Sequence, residues 1–175
     1  MPKNFKLSLL DNKPDGLISL SSANSVNIIY KIPKSRLGAD LQKHKHLSLS
    51  GFYILIGYLN ANGVIPAYVG RVNAVENNSR LLCRLRYHLL RDWWHEVYFL
   101  TRSNSTINHT ESAYLEFLFY EELSINENFD LKNKRRHIPN LINLTGEIDY
   151  LNDSKDRFIE LLSILENKFI RKLQK

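Results

Sequence analysis

The hydrophobic pattern of the first fifty residues predicts short β-strands joined by turns. Apolar and polar residues alternate with a period of two over residues 5–10, and the turn-forming residues 12–16 follow. Residues 17–20 and 26–32 are further strand candidates, the second rich in β-branched side chains. We therefore expect residues 1–50 to form a strand-rich N-terminal extension.

The middle of the chain is predicted to hold a β-hairpin, a helix and a third strand. Residues 51–58 form an aromatic and β-branched run, and turn residues separate them from a second strand that begins at Pro66. Leucines at helical spacing predict a helix over residues 79–91, with Cys83 as a small buried filler. A third strand is expected at residues 96–100.

Two helices and an irregular segment are predicted for the rest of the chain. Asn108 and Glu111 have the spacing of a capping box and begin a helix that extends to about residue 123. Residues 126–143 show no regular period. An amphipathic helix over residues 153–173 is expected to dock its apolar stripe on the core.

Composition places the chain among ordinary soluble globular proteins. Apolar residues are 43% of the chain and charged residues 24%, which is the balance of a folded domain and not of a disordered one. The single cysteine excludes an internal disulfide and a cysteine-built zinc site. No apolar run is long enough for a signal peptide or a membrane span. We expect a cytoplasmic protein without a membrane partner.

The net charge of +6 is spread unevenly along the chain. Residues 1–50 carry eight Lys and Arg against three Asp and Glu, and residues 51–110 carry six against three. Residues 111–175 carry ten against twelve. A basic first two-thirds suits a polyanionic partner such as nucleic acid, although a merely solvated basic surface explains the charge equally well.

Glu116 is the sharpest chemical clue, because it lies in a helix that is apolar on nearly every side. Burying an unpaired carboxylate costs several kcal/mol, so an arginine, hydrogen bonds or a metal ion must compensate its charge. A structural salt bridge is the alternative to a metal site. Glu111 and Glu121 are the competing carboxylates; capping explains the first, and the solvated end of the helix explains the second.

Two further pairs of side chains could carry chemistry. Arg84 and His88 fall at i, i+4 on the predicted helix, where they could stabilise a phosphate's charge and transfer a proton. Tyr53 and Tyr68 fall on the two hairpin strands, so their hydroxyls could converge on one water if cations lower a tyrosine pKa. Each pair also fits an ordinary role, as a basic helix surface and as packed aromatics.

Taken in order, these motifs resemble the GIY-YIG endonuclease superfamily. Gly51-Phe52-Tyr53 is similar to its first motif, and Tyr68-Val69-Gly70 is similar to its second. The run from Arg84 to His88 resembles its helix with an Arg and, four residues later, a His or Tyr. Tyr114-Leu115-Glu116 resembles the helix that carries its metal-ligand Glu, and Asn133 resembles its late Asn.

The resemblance implies a fold of the α/β (α+β) class. A small three-stranded antiparallel sheet flanked by helices would form the nuclease core, over residues 51–145. The strand-rich extension would precede this core, and a C-terminal helix within residues 146–175 would pack on it. The similarity covers roughly residues 5–165, including the compact lead-in typical of stand-alone members.

The resemblance also implies a mechanism. A Mg²⁺ or Mn²⁺ ion held by Glu116 would contact the scissile phosphate and stabilise the leaving oxygen. Tyr53 or Tyr68, with help from His88, would activate the attacking water, and Arg84 would neutralise the transition state. Asn133 completes the set of site residues that the resemblance assigns.

DNA is the expected partner, and basic residues around the motifs are expected to bind it. These residues are Arg71, Arg80, Arg86, Arg91, Lys134, Arg135 and Arg136. One alternative is a non-catalytic nucleic-acid-binding module of the same fold, and another is a structural protein that binds a partner through its last helix. The sequence leaves open the target and whether the protein forms a homodimer.

Overall fold

The computed structural model describes residues 4–23, 25–38, 45–72, 80–103, 107–140 and 147–165. Within these residues the strands are β1 (Phe5–Leu9), β2 (Ile18–Ser22), β3 (Asn27–Pro33), β4 (Gly51–Gly57), β5 (Ile65–Val72), β6 (Trp94–Arg102) and β7 (Phe129–Leu131). The α-helices are α1 (Arg80–Arg86), α2 (His109–Ser124) and α3 (Ile148–Leu165). Short 3₁₀ turns at Lys34–Arg36 and Lys45–Ser48 precede β4.

The described strands form one mixed sheet in the order β1-β2-β3-β6-β4-β5-β7. The prediction of a small three-stranded sheet is therefore wrong. Its three strands, β4, β5 and β6, exist but lie inside a seven-stranded sheet. β6 is nine residues long, and its second edge pairs antiparallel with β3. Because an uncovered strand edge invites pairing, the N-terminal strands extend the sheet on that side.

β7 is the strand that the sequence pattern does not predict. Phe129–Leu131 pair in parallel with Ile65, Pro66 and Ala67 of β5, inside the segment expected to be irregular. Three residues are too few for a hydrophobic period to appear in the sequence. The division of the chain at residues 50 and 145 stays a prediction.

Helices cover both faces of the sheet, and β4 is buried throughout. On one face, Phe52 of β4 lies 4.9 Å from Phe119 of α2 and 5.4 Å from Phe158 of α3, measured between ring centroids. On the other face, Leu55 packs in a cluster with Leu81 and Leu85 of α1. The predicted capping box of α2 is found. α3 begins at Ile148 and packs Leu151, Phe158 and Leu161 in the core, and the predicted end of this helix, residues 166–173, lies outside the described residues.

α1 is shorter than predicted, since it ends at Arg86 and turns follow it. The amides of the next residues donate to carbonyls three positions back, so the α-helical ladder stops there. Leu89 consequently leaves the apolar stripe and is exposed. Cys83 is also exposed, against expectation, because it lies about 200° around the helix from Leu81 and Leu85. None of the helices described above is long and apolar enough to cross a membrane.

Candidate active site

Tyr53 and Gly70 are direct partners in the β4–β5 ladder, which brings the two tyrosine-glycine motifs together. The Tyr53 side chain is almost fully buried, and its ring lies against the Gly70 backbone. A β-carbon on Gly70 would lie 2.5 Å from Cζ and 2.6 Å from the hydroxyl oxygen of Tyr53. Glycine is therefore required at position 70 for Tyr53 to occupy this place.

Tyr53, Tyr68 and His88 form a compact cluster on the α1 side of the sheet. The Tyr53 hydroxyl oxygen lies 3.2 Å from Nε2 of His88, within hydrogen-bonding distance. The Tyr68 ring lies 6.1 Å from the Tyr53 ring and 4.7 Å from the imidazole, measured between centroids. The two tyrosines also interact electrostatically, since each affects the pKa of the other. The three side chains therefore lie together, while the meeting of the two hydroxyls on one water stays a prediction.

His88 lies in the turn that follows α1 and not in the helix itself. The prediction that Arg84 and His88 share one face of a helix is therefore wrong. The His88 amide donates to the Leu85 carbonyl at 2.8 Å, three residues back. Its carbonyl accepts a hydrogen bond from Nε1 of Trp94 at 2.8 Å. Trp94 therefore anchors the turn, and His88 is 6% exposed.

Electrostatics leave these three side chains neutral at neutral pH. Burial raises the pKa of Tyr53 well above its ordinary value, and Tyr68 adds to this rise while Arg84 opposes it. Burial and the nearby Glu116 raise the pKa of Tyr68. Burial lowers the pKa of His88 to about 4, helped by Arg91 and Arg84. His88 is neutral at pH 7, so its imidazole has a free lone pair for a proton, although its low pKa makes it a weak base.

Glu116 lies on α2, and its carboxylate is paired with Arg71 of β5. Arg71 Nε lies 3.6 Å from Glu116 Oε2, and the two side chains are 19% and 15% exposed. Burial nevertheless raises the pKa of Glu116 to about 7, against the opposing effects of Arg71 and Arg84. The expected compensation by an arginine is present, but the two cations do not offset the burial of the carboxylate.

The site lies at the part of β5 that is not paired with β7. β7 pairs only with the first residues of β5, as far as Ala67. Beyond it, the Asn133 side chain accepts a hydrogen bond from the Val69 amide at 2.9 Å and donates one to the Val69 carbonyl at 2.7 Å. Asn133 therefore holds the β5 backbone between Tyr68 and Gly70, and acts through that strand.

Successive side chains of β5 point to opposite faces of the sheet, so the site residues lie on both faces. Tyr68 belongs to the cluster on the α1 side, whereas Arg71 pairs with a residue of α2 on the other side. Glu116 still influences the pKa of both tyrosines, and Arg84 influences Tyr53, Tyr68, His88 and Glu116. The predicted residues thus form one electrostatically connected group around the end of β5.

The predicted DNA-binding residues differ in whether their side chains are paired and whether they are exposed. Arg71 is engaged with Glu116, and its Nη2 lies 3.1 Å from Nε2 of His137. Arg136 pairs with Glu121 at 2.8 Å. The exposed members of the predicted set are Arg86, Arg91, Lys134, Arg135 and Arg136. The side chain of Arg80 and residues 39–44 and 73–79 lie outside the described part of the chain.

Two roles were missed by sequence reasoning. Arg71 is the ion-pair partner of Glu116, although the sequence indicates only a basic residue after the second motif. His137 joins it from the basic segment that follows Asn133. Among the described side chains, six N or O atoms are buried without a hydrogen-bond partner, and Nη1 of Arg71 and Nδ1 of His88 are two of them. Such unsatisfied groups are costly, and a polar ligand at this place would satisfy these two.

The metal prediction rests on a single carboxylate. In the described part of the chain, no three His, Cys, Asp or Glu side chains are grouped so that they could hold a metal ion. Comparison with family models, with curated proteins and with solved structures gave no match for this chain.

Proposed function

We propose that this protein is a metal-dependent endonuclease that hydrolyses phosphodiester bonds in DNA, with a site of the GIY-YIG type. The observation that carries the proposal is the contact of Tyr53, Tyr68 and His88 beside Arg84 and Glu116. A binding surface does not need a buried tyrosine–histidine pair or a half-buried carboxylate. The resemblance of the ordered motifs to that superfamily supports the same conclusion. A cytoplasmic location stays a prediction.

Glu116 would hold the Mg²⁺ or Mn²⁺ ion. Mg²⁺ is often bound by one or two carboxylates together with water and substrate phosphate, so a single carboxylate fits it. The raised pKa of Glu116 is in line with this role, because burial outweighs the charges of Arg71 and Arg84 and a further cation would favour the ionised carboxylate. When bound, the ion would polarise the scissile phosphate and stabilise the leaving oxygen.

The protein's own groups account for activation of the water. Tyr68 is less buried than Tyr53, so its hydroxyl is the one that we place against the attacking water. A proton leaving the water would pass to Tyr68, from Tyr68 to Tyr53, and from Tyr53 to Nε2 of His88. The phosphates of the substrate favour this transfer, since a nearby anion stabilises the imidazolium.

Arg84 and Arg71 provide the positive charge for the phosphate. Arg84 is exposed, yet it acts electrostatically on every group of the site, as transition-state stabilisation requires. Nη1 of Arg71 is a buried donor without a partner among the described residues, which makes it available to a phosphate oxygen. We assign Arg84 to the reacting phosphate and Arg71 to Glu116 and the phosphate beside it.

A test of the proposal is cleavage of supercoiled plasmid DNA with Mg²⁺, with EDTA, and by the Glu116→Ala variant. Nicked or linear product that needs Mg²⁺ and disappears in the variant supports the endonuclease. Absence of cutting together with salt-sensitive DNA binding would support the alternative, a non-catalytic nucleic-acid-binding module of the same fold. Discrete bands in place of a smear would show preferred sites.

A further inference from the structure

The turn that follows α1 displays two apolar side chains to solvent. Tyr87 is 79% exposed and Leu90 is 99% exposed. Single exposed apolar residues are common on protein surfaces. These two, however, lie within four residues of each other, and the exposed Arg84, Arg86 and Arg91 flank them. Apolar and basic side chains together are a surface chemistry that suits nucleic acid.

Hydrogen bonds hold the backbone of this turn in place. The Arg91 amide donates to the His88 carbonyl at 3.0 Å, and that carbonyl also accepts from Trp94. Nζ of Lys34, on a distant segment, donates to the Arg91 carbonyl at 2.5 Å. Tyr87 and Leu90 are therefore presented by a fixed scaffold, because the buried His88 anchors the turn between them.

The turn lies next to the proposed reaction centre. Consecutive α-carbons are about 3.8 Å apart, so Leu90 lies within about 8 Å of His88 along the backbone. His88 contacts the Tyr53 hydroxyl. Successive nucleotides of a stacked strand are about 3.4 Å apart, so a phosphate at the site places the next one or two bases within reach of this turn.

We propose that Tyr87 and Leu90 form an apolar wedge that contacts unstacked nucleobases beside the scissile phosphate. The wedge rests on the proposed function and specifies its substrate class, which is DNA that contains a mismatched or bulged site. Apolar side chains that insert between two stacked bases unstack them. This unstacking costs less free energy where a base is already unpaired. Aromatic side chains then stack on the freed base.

The charge of the turn favours nucleic acid over a protein partner. Three exposed arginines flank the two apolar side chains, and Asp92 is the acidic residue among the described positions of this turn. An excess of positive charge attracts the phosphate backbone of DNA. It would repel the same turn of a second copy of this chain, because like charges would face each other in a symmetric contact.

The test measures binding and cleavage with the same DNA pair. Proteins that carry Glu116→Gln, which should stop cutting, are titrated against a labelled duplex and against the same duplex with a short mismatched bubble. One protein carries only this change, a second adds Tyr87→Ala and Leu90→Ala, and a third adds Ile125→Ala. Ile125 is a matched control because it is 78% exposed and follows α2, away from the turn.

The expected result is that Glu116→Gln protein binds the bubble about tenfold more tightly than the duplex. The wedge variant should bind both DNAs equally, and the Ile125→Ala control should keep the preference. A preference that survives in the wedge variant, or no preference in the parent protein, would overturn the wedge. So would a change of oligomeric state in the wedge variant, which would identify the turn as a protein interface.

Failure of the wedge can be told apart from failure of the proposed function. If the wild-type protein cleaves DNA but the bubble preference is missing, only the wedge is wrong. If the wild-type protein neither binds nor cleaves either DNA with Mg²⁺, the endonuclease and the wedge are both wrong. Melting curves of each variant confirm folding, since all the wedge and control side chains are exposed.

Discussion

The ring of Tyr53 occupies the space that a side chain on Gly70 would fill. The two residues are opposite each other on β4 and β5, so the glycine of one motif makes room for the tyrosine of the other. This relationship gives a physical reason for the pairing of the motifs. It also positions the Tyr53 hydroxyl at 3.2 Å from Nε2 of His88.

Gly70→Ala should therefore damage both stability and activity. The added methyl group would lie 2.5 Å from Cζ of Tyr53, and relieving this clash should cost about 1–3 kcal/mol of unfolding free energy. Denaturant unfolding measures the loss, and Gly38→Ala is the control because nothing lies within 4 Å of its added carbon. Equal stability of Gly70→Ala and wild-type protein would contradict the packing described here.

Tyr53→Phe should remove the link between the second tyrosine and His88. The loss of one buried hydrogen bond should cost about 1 kcal/mol, and loss of the proton path should slow DNA cleavage about 100-fold. Tyr30→Phe is a suitable control, since Tyr30 is also a buried tyrosine of the α1-side cluster. Full activity in Tyr53→Phe would rule out the proposed proton path.

The contribution of Glu116 to the stability of the metal-free protein should be lost as the pH rises through about 7, whereas the lowered pKa of His88 acts in the opposite direction between about pH 4 and 6.5. The pKa of Glu116 is about 7 in the fold and 4.5 in the unfolded chain, so folding favours the protonated form. The stabilising contribution is complete below pH 4.5 and is lost as the pH rises through 7.

Glu116→Gln should remove this pH dependence. The difference in unfolding free energy between the Glu116→Gln variant and wild-type protein should change by about 3 kcal/mol, in favour of the variant, between acidic and mildly alkaline pH. Denaturant unfolding across this range measures the difference. Mg²⁺ should stabilise only the wild-type protein at the alkaline end. Parallel pH profiles for the two proteins would show that folding does not raise the pKa of Glu116.

Asn133→Ala should loosen β5 beside Tyr68. Both backbone groups of Val69 would lose their partner, at a cost of about 1–2 kcal/mol. Hydrogen exchange of the Val69 amide should accelerate, and cleavage should slow while DNA binding is retained. Asn133→Asp keeps the acceptor and loses the donor, so an intermediate effect is expected. Unchanged amide protection in Asn133→Ala would be the opposite result.

The sequence predicts local features of this fold better than it predicts the sheet. The capping box of Asn108 and Glu111 and the β4–β5 hairpin are found as predicted, because neighbouring residues determine them. The pairing of β3 with β6 joins residues about seventy positions apart, so no local pattern contains it. A three-stranded sheet was therefore the wrong expectation for a seven-stranded one.

The same distinction applies to the candidate site. Tyr53 and Tyr68 are brought together by a hairpin that the sequence predicts, and Glu116 is identified as a carboxylate that needs a partner. The identity of that partner, Arg71, depends on the packing of α2 on β5. The role of Asn133 depends on a strand of three residues that has no recognisable period.

The most direct test of the account is the single-turnover rate of DNA cleavage at saturating protein. We expect wild-type protein and the Glu121→Gln control, whose carboxylate pairs with the exposed Arg136, to cleave with Mg²⁺ and to stop with EDTA. Glu116→Gln should bind DNA as tightly and cleave it about a thousandfold more slowly. Cleavage by Glu116→Gln at the wild-type rate, or none by wild-type protein, would contradict the proposed active site.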